Sequence, residues 1–201
     1  MNKPARPRNV AILIFDEVEV LDFCGPFEVF AVTGRKSPEP PFHVYTVAER
    51  ALPVSARNQL MVIPRHTLAD CPPPDILVVP GGWGTRRELN NQPLLTWIAE
   101  TSRAAELTLS VCTGALLLAK AGLLAGLTAT THHGAIEELR AIAPQLRIEP
   151  ERRYVDNGRV ILSAGVAAGI DMSLAVVARL LGPESAAETA SYIEYPWPCD
   201  N

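Results

Sequence analysis

A cysteine stands where a strand-like segment meets a helix-like one. The run Leu107–Val111 ends directly before Cys112-Thr113-Gly114, and the apolar segment Ala115–Ala119 follows. In α/β proteins a sharp strand-to-helix turn can present a nucleophile, and a small residue two positions later gives that turn room. Gly114 meets the requirement, although Ser110 stands where the pattern has another glycine. The segment therefore predicts a nucleophile elbow with Cys112 at its tip.

The helix that follows Cys112 bears on the chemistry of its thiol. Backbone N–H groups and the positive end of the helix dipole meet at a helix N-terminus, and both favour a thiolate over a thiol. We therefore expect Cys112 to be an ionisable nucleophile. The alternative interpretation is a small buried hydrophobic residue, which is the usual role of a free cysteine.

Three other groups of residues could take part in chemistry. Asp22 opens a predicted helix, where it is either the N-cap or an acidic group of a site. The loop Gly81–Gly84 is either an ordinary tight turn or a backbone that approaches a ligand closely, and its Trp83 either lines a pocket or covers the loop. His132 and His133 are adjacent, but no acidic residue accompanies them at a metal-ligand spacing, so no metal site is predicted.

The elements around these residues alternate between strands and helices. Predicted strands are Val10–Phe15, Phe42–Val47, Leu60–Ile63, Asp75–Pro80 and Leu107–Val111. Predicted helices run from Asp22 to about Val32, over Pro93–Ala105, from Gly114 to Ala121, over His132–Ile142, over Ala168–Leu181 and over Pro183–Tyr192. Asn157-Gly158 predicts a hairpin between Arg153–Asp156 and Val160–Ser163. This order favours a three-layer α/β sandwich with a mostly parallel central sheet, as one domain over residues 1–201 in which residues 1–9 form a loose arm.

Composition and charge exclude several classes of protein. Lysine plus arginine number 18 and aspartate plus glutamate 22, a net charge of −4. An acidic chain without a basic cluster gives no support for nucleic-acid binding, and the most apolar segment, Leu107–Leu127, is interrupted by a lysine and three glycines, which argues against a membrane span. The four cysteines, at positions 24, 71, 112 and 199, match no zinc or disulfide scaffold. We expect a cytoplasmic protein with reduced thiols.

Several blocks of the chain resemble the ThiJ/PfpI superfamily, whose fold is class I glutamine amidotransferase-like and flavodoxin-like. The blocks are Leu21–Pro26, Pro80–Gly84, Ser110–Ala119, Ala121–Leu124, Ala129–His132 and Ala164–Asp171, and they stand in the family's order. Within the superfamily the chain is most similar to the isocyanide hydratase branch. The amidotransferase-like domains of AraC-type regulators share the same blocks, so the assignment to this branch is less specific than the assignment to the superfamily.

The resemblance implies roles for particular residues. It places the nucleophile on Cys112 and its acidic partner on Asp22, and it implies backbone oxyanion donors at Gly82 and Thr113. It also places Trp83, His132, His133, Gly165 and Val166 at or near the pocket. The protease-like branch has a histidine after the nucleophile, whereas this chain has Thr113, which weakens a Cys-His peptidase interpretation.

The activity implied by the resemblance is the hydration of an isocyanide to an N-substituted formamide. It needs no metal or organic cofactor, and the implied protein is a homodimer that acts on a small molecule. An ionised Asp22 would raise the pKa of the Cys112 thiol, so we expect the two groups to share one proton and to titrate as a coupled pair.

Two other functions stay open. One is a ligand-sensing module related to the AraC-type regulators, although the expected DNA-binding region after the sandwich is missing from this chain. The other is a redox-responsive protein in which Cys112 oxidises readily.

Overall fold

The centre of the molecule is a sheet built from short, largely apolar strands. The structure is a computed structural model that describes residues 6–197, and this part of the chain contains eleven strands: β1 (Arg8–Leu13), β2 (Phe42–Ala48), β3 (Val54–Ser55), β4 (Met61–Val62), β5 (His66–Thr67), β6 (Ile76–Val79), β7 (Leu107–Val111), β8 (Thr128–Ala129), β9 (Arg147–Ile148), β10 (Tyr154–Asp156) and β11 (Val160–Ser163). Every residue of β6 and β7 is buried. Burial on both faces is typical of parallel strands that helices cover on each side.

Seven of these strands form the central sheet, in the order β10-β11-β7-β6-β1-β2-β5. β1 pairs in parallel with β2 and β6, and β7 pairs in parallel with β6 and β11. Within this sheet β10 alone is antiparallel, since it pairs with β11 through the turn at Asn157-Gly158. The predictions of a mostly parallel sheet and of this hairpin are confirmed. The parallel arrangement brings the carboxyl ends of β1, β6, β7 and β11 to one edge of the sheet.

Helices cover the sheet in two groups. The seven α-helices of residues 6–197 are α1 (Val20–Val32), α2 (Thr85–Glu88), α3 (Gln92–Ala104), α4 (Gly114–Lys120), α5 (Ile136–Ile142), α6 (Ala168–Leu181) and α7 (Pro183–Tyr192). α1, α6 and α7 contact one another, whereas α4 contacts α2, α3 and α5. The two groups form the outer layers of the three-layer α/β sandwich that the sequence predicts.

The start of the chain differs from the prediction. β1 begins at Arg8, whose backbone N–H donates to the Pro41 carbonyl at 2.9 Å. The side chain of Arg6 forms an ion pair of 2.7 Å with Asp75. The prediction of a loose arm through residue 9 is therefore wrong for residues 6–9, and residues 1–5 lie outside the described part of the chain.

The other differences concern short elements. α2, β3, β5, β8 and β9 are two to four residues long, too short for a periodic pattern to reveal them. The strand predicted over Leu60–Ile63 is shorter, since β4 contains Met61 and Val62 and pairs with β3 outside the central sheet. The helix predicted from His132 begins as a 3-10 turn over His133–Ala135 before α5. Between residues 6 and 197 no helix is long and apolar enough to cross a membrane.

Candidate active site

Cys112 occupies the sharp turn between β7 and α4. Its φ is 59°, in the left-handed region that a non-glycine residue seldom adopts, and its side chain is 6% exposed. Gly114 makes the turn possible, because a Cβ atom at that position would lie 2.1 Å from the carbonyl oxygen of Val79. The predicted elbow is therefore confirmed. A strained backbone of this kind is concentrated at functional sites.

Asp22 lies in the first turn of α1 and is fully buried. The N-cap of that helix is Glu19, so the interpretation of Asp22 as the N-cap is wrong. One carboxyl oxygen, Oδ2, accepts a hydrogen bond of 3.0 Å from the backbone N–H of Gly81. No described residue forms a hydrogen bond of standard geometry with the other oxygen, Oδ1. A carboxylate oxygen buried without a partner favours the protonated acid.

Electrostatic interactions couple Asp22 to Cys112. Burial raises the pKa of Asp22 to about 7, and the nearby Cys112 thiol lowers it only in part. Burial and the charge of Asp22 together raise the pKa of Cys112 to about 12, although the backbone N–H groups of Thr113 and Val166 act in the opposite direction. The expectation that the elbow favours a thiolate is therefore wrong: α4 has only seven residues, and desolvation outweighs its N-terminus.

The loop after β6 is held against the elbow by Thr113. The Gly82 N–H donates to Thr113 Oγ1 at 2.9 Å, and the Thr113 hydroxyl donates to the Gly82 carbonyl at 3.1 Å. This contact occupies the Gly82 donor, so the oxyanion role that the resemblance implies for Gly82 does not fit this arrangement. The backbone N–H of Thr113, in contrast, acts on the Cys112 sulfur.

Val166 supplies a second backbone donor at the sulfur. It lies in the loop between β11 and α6 with a φ of 51°, and this is an outlier for a β-branched residue. Its N–H lowers the pKa of both Cys112 and Asp22. The two backbone donors at the sulfur are therefore Thr113 and Val166.

A cavity of about 320 Å³ opens onto Cys112, and we refer to it as the Cys112 cavity. Its lining residues are Glu19, Gly82, Trp83, Arg86, Cys112, Thr113, His132, Gly134 and Val166. The structure thus places the predicted pocket residues Trp83, His132 and Val166 at the cavity. Trp83 is 64% exposed at its rim, with the Arg86 guanidinium 5.1 Å from the centre of the indole ring.

His132 and Val166 line both the Cys112 cavity and a neighbouring cavity of about 390 Å³. His132 Nδ1 accepts a hydrogen bond of 3.1 Å from the Gly134 N–H, which requires that nitrogen to be unprotonated. Burial and the adjacent His133 lower the pKa of His132. The predicted pocket residues His133 and Gly165 line the neighbouring cavity and not the Cys112 cavity. Gly165 lets the ring of His132 approach, since a Cβ atom there would lie 2.4 Å from His132 Cδ2.

Sequence reasoning missed two residues of the site. Glu19 lines the cavity, and its charge raises the pKa of Asp22. Arg86 forms a two-point ion pair with Glu138, with distances of 2.9 and 2.6 Å, and its Nη1 also donates to the Gly82 carbonyl at 3.3 Å. The position of Arg86 just after the glycine-rich loop was the available signal.

Neither Cys24 nor Cys71 lines the Cys112 cavity. Cys24 is half-buried in α1, and Cys71 lies near the Tyr45 hydroxyl at 3.9 Å. Cys199 lies outside the described residues. Within residues 6–197, no three or more histidine, cysteine or acidic side chains are grouped as a metal site would require.

Comparison with known proteins adds independent information. Residues 8–179 match the DJ-1/PfpI family. The chain is 33% identical over 190 residues to the isonitrile hydratase of Pseudomonas putida, an alignment that covers 93% of this chain and 78% of that protein. It is also similar to a ThiJ/PfpI family protein from Pseudomonas syringae, with 31% identity, a TM-score of 0.85, and 97% of this chain and 78% of that one covered.

Regulators are also among the similar proteins. The HTH-type transcriptional regulator CdhR of Pseudomonas aeruginosa is 33% identical over 183 residues, which cover 89% of this chain and 52% of the regulator. The chain thus spans about half the length of that regulator.

Proposed function

This chain belongs to the DJ-1/PfpI family, and within it we propose that the protein is a cysteine-dependent hydratase that converts an isocyanide into an N-substituted formamide. The observation that carries the proposal is the buried pair of Cys112, which lines the cavity, and Asp22, since the pKa values of the two groups depend on each other. The 33% identity to an isonitrile hydratase supports it.

In the proposed reaction the pair begins with one shared proton. The Cys112 thiol passes this proton to the Asp22 carboxylate as its sulfur attacks the terminal carbon of the isocyanide. The Asp22 carboxyl then delivers the proton to that carbon, giving a thioimidate, R–N=CH–S–Cys, and a carboxylate. The raised pKa of Asp22, about 7, keeps this acid available near neutral pH. The N–H groups of Thr113 and Val166 stabilise negative charge on the sulfur before attack and after release.

Water completes the proposed cycle. The Asp22 carboxylate takes a proton from a water molecule as the oxygen attacks the thioimidate carbon, and it then passes that proton to the nitrogen. The resulting tetrahedral adduct, R–NH–CH(OH)–S–Cys, loses its C–S bond to give R–NH–CHO. The hydroxyl proton returns to the pair of Cys112 and Asp22, so the sum is isocyanide plus water giving formamide.

A direct assay tests the proposal. With cyclohexyl isocyanide as substrate and the formamide quantified by chromatography, we expect turnover by the wild type and a loss of more than about 1,000-fold in Cys112→Ala. Cys24→Ala, a half-buried cysteine of α1 outside the cavity, is the matched control and keeps its activity. Wild-type turnover in Cys112→Ala contradicts the mechanism.

A second candidate function is a non-catalytic module that binds a small molecule or senses oxidants. It is favoured by the sequence identity of 33% to the regulator CdhR, which is the same as the identity to the isonitrile hydratase. The same assay separates the two, because a sensor gives no formamide from any isocyanide although its cavity is intact.

We also propose that the protein is a homodimer, as the resemblance implies. Met61 and Ile63, two residues apart on the segment of β4, are 59% and 78% exposed. Neighbouring exposed apolar side chains are typical of a contact surface, and a second copy of the chain is the occupant that we propose.

A further inference from the structure

An ion pair between Arg153, whose side chain is 41% exposed, and the buried Asp171 lies at the start of α6, beside the loop that carries Val166. Arg153 Nε donates to Asp171 Oδ2 at 2.6 Å, and Arg153 Nη2 contacts the same oxygen. The Tyr195 hydroxyl donates to Asp171 Oδ1 at 2.9 Å. Asp171 is fully buried, so both of its oxygens depend on these two partners. The proposed reaction uses none of the three residues.

Arg153 is bonded to both ends of the Val166 loop. Its backbone carbonyl accepts the N–H of Ala164 at 2.8 Å, and the Ala164 carbonyl accepts the N–H of Cys112 at 3.0 Å. At the other end of the loop, its guanidinium group contacts Asp171 in the first turn of α6. One residue thereby holds Ala164 and Asp171, which flank Val166 in the chain, and Ala164 is bonded to Cys112.

The backbone of Val166 needs such support. A β-branched residue with a φ of 51° is strained, and it persists only where the flanking structure determines it. Relaxation of this torsion would turn the Val166 N–H away from the Cys112 sulfur. The contacts at residues 164 and 171 are the flanking constraints that the structure provides.

We propose that Arg153, Asp171 and Tyr195 are positioning residues that hold the Val166 N–H against the Cys112 sulfur. The position of the Val166 N–H does not depend on any substrate. The inference rests on the proposed function only where it concerns the effect of this donor on catalysis. Its direct consequence is that weakening this network removes a donor that stabilises the thiolate.

The test measures the thiol itself. The full-length variants Tyr195→Phe and Asp171→Asn are alkylated with iodoacetamide from pH 7 to pH 10, below the midpoint of the thiol, and modification of the peptide containing Cys112 is followed by mass spectrometry. We expect the rate at pH 9 to be about three- to tenfold lower in both variants than in the wild type, because the fraction of thiolate falls. Looser packing alone exposes the thiol and makes its alkylation faster.

The controls separate this effect from others. Arg179→Gln removes a different contact between α6 and the hairpin, the 3.3 Å ion pair with Asp156, and leaves the alkylation rate at pH 9 unchanged. The titratable groups around the thiol are intact in every variant: Glu19, Arg86 and His132 line the cavity with Cys112, and the charge of Asp22 acts on the thiol. A Tyr195→Phe variant that is alkylated at pH 9 as fast as the wild type, or faster, overturns the proposal, even where Asp171→Asn does not fold. Because no isocyanide is used, absence of hydratase activity in the wild type leaves this test unaffected.

Discussion

The hydroxyl of Thr113 forms two hydrogen bonds with the backbone of Gly82, accepting its N–H at 2.9 Å and donating to its carbonyl at 3.1 Å. The elbow after β7 and the loop after β6 are thereby joined at the base of the Cys112 cavity. The side chain of Thr113 thus has a structural role, while its backbone N–H acts on the sulfur.

Replacement of Thr113 tests whether its side chain has this structural role. Thr113→Val keeps the shape of the side chain but leaves the buried N–H of Gly82 unpaired, so we expect a loss of about 1–3 kcal/mol in the free energy of unfolding, measured with denaturant. Thr113→Ser retains the hydroxyl and is the matched control. Equal stabilities of the two variants would show that these hydrogen bonds contribute nothing.

Asp22→Asn is expected to change two rates in opposite directions. Loss of the acid abolishes proton delivery, so formamide production falls by about 100-fold or more. Loss of the negative charge lowers the pKa of Cys112, so alkylation of that residue by iodoacetamide at pH 8–9 becomes roughly tenfold faster. Below pH 6 the two proteins alkylate alike, because Asp22 of the wild type is then protonated. Slower alkylation in the variant would mean that Asp22 does not act on the thiol.

Asp22 is also expected to make stability depend on pH. Its pKa is about 7 in the folded protein and near 3.8 in the unfolded chain, so between these values the folded state binds more protons. The free energy of unfolding therefore falls as the pH rises through this window, by at most about 4 kcal/mol. Asp22→Asn lacks this dependence, so its advantage over the wild type grows from pH 4 to pH 8. Parallel curves for the two proteins would exclude a buried acid.

How much the sequence reveals depends on how local each feature is. The elbow depends on Cys112 and Gly114, two residues apart, and both the turn and the need for glycine follow from that spacing. The strand lengths around it follow from apolar runs such as Leu107–Val111. The family resemblance identifies Asp22 by its position after β1, although its type alone also fits an N-cap.

The features that the sequence did not reveal depend on tertiary contacts. The direction of the Gly82 N–H is set by Thr113, 31 residues later in the chain. The raised pKa of Cys112 follows from burial and from a carboxyl group 90 positions away, and no local pattern reveals either of them. No local pattern joins Arg153, Asp171 and Tyr195.

A change at Ile63 tests the proposed dimer. Ile63→Glu places a charge on the exposed apolar segment, so we expect light scattering to give the mass of one chain where the wild type has the mass of two. Gln145→Glu adds the same charge at an exposed position elsewhere and retains the wild-type mass. A wild type with the mass of one chain at micromolar concentration contradicts the proposal.

Gly165 and His132 are expected to be energetically coupled. Alanine at 165 places a methyl group 2.4 Å from the present position of His132 Cδ2, so the imidazole must move into the Cys112 cavity or away from Gly134. We expect Gly165→Ala to lose about 1–3 kcal/mol of stability and to change the KM for cyclohexyl isocyanide more than for a smaller isocyanide. In Gly165→Ala/His132→Ala the obstructing ring is gone, so the combined loss is smaller than the sum of the single losses by about 1 kcal/mol, as measured in a double-mutant cycle. If the losses of stability in the two single variants add up in the double variant, the absence of a side chain at position 165 does not determine where the His132 ring lies.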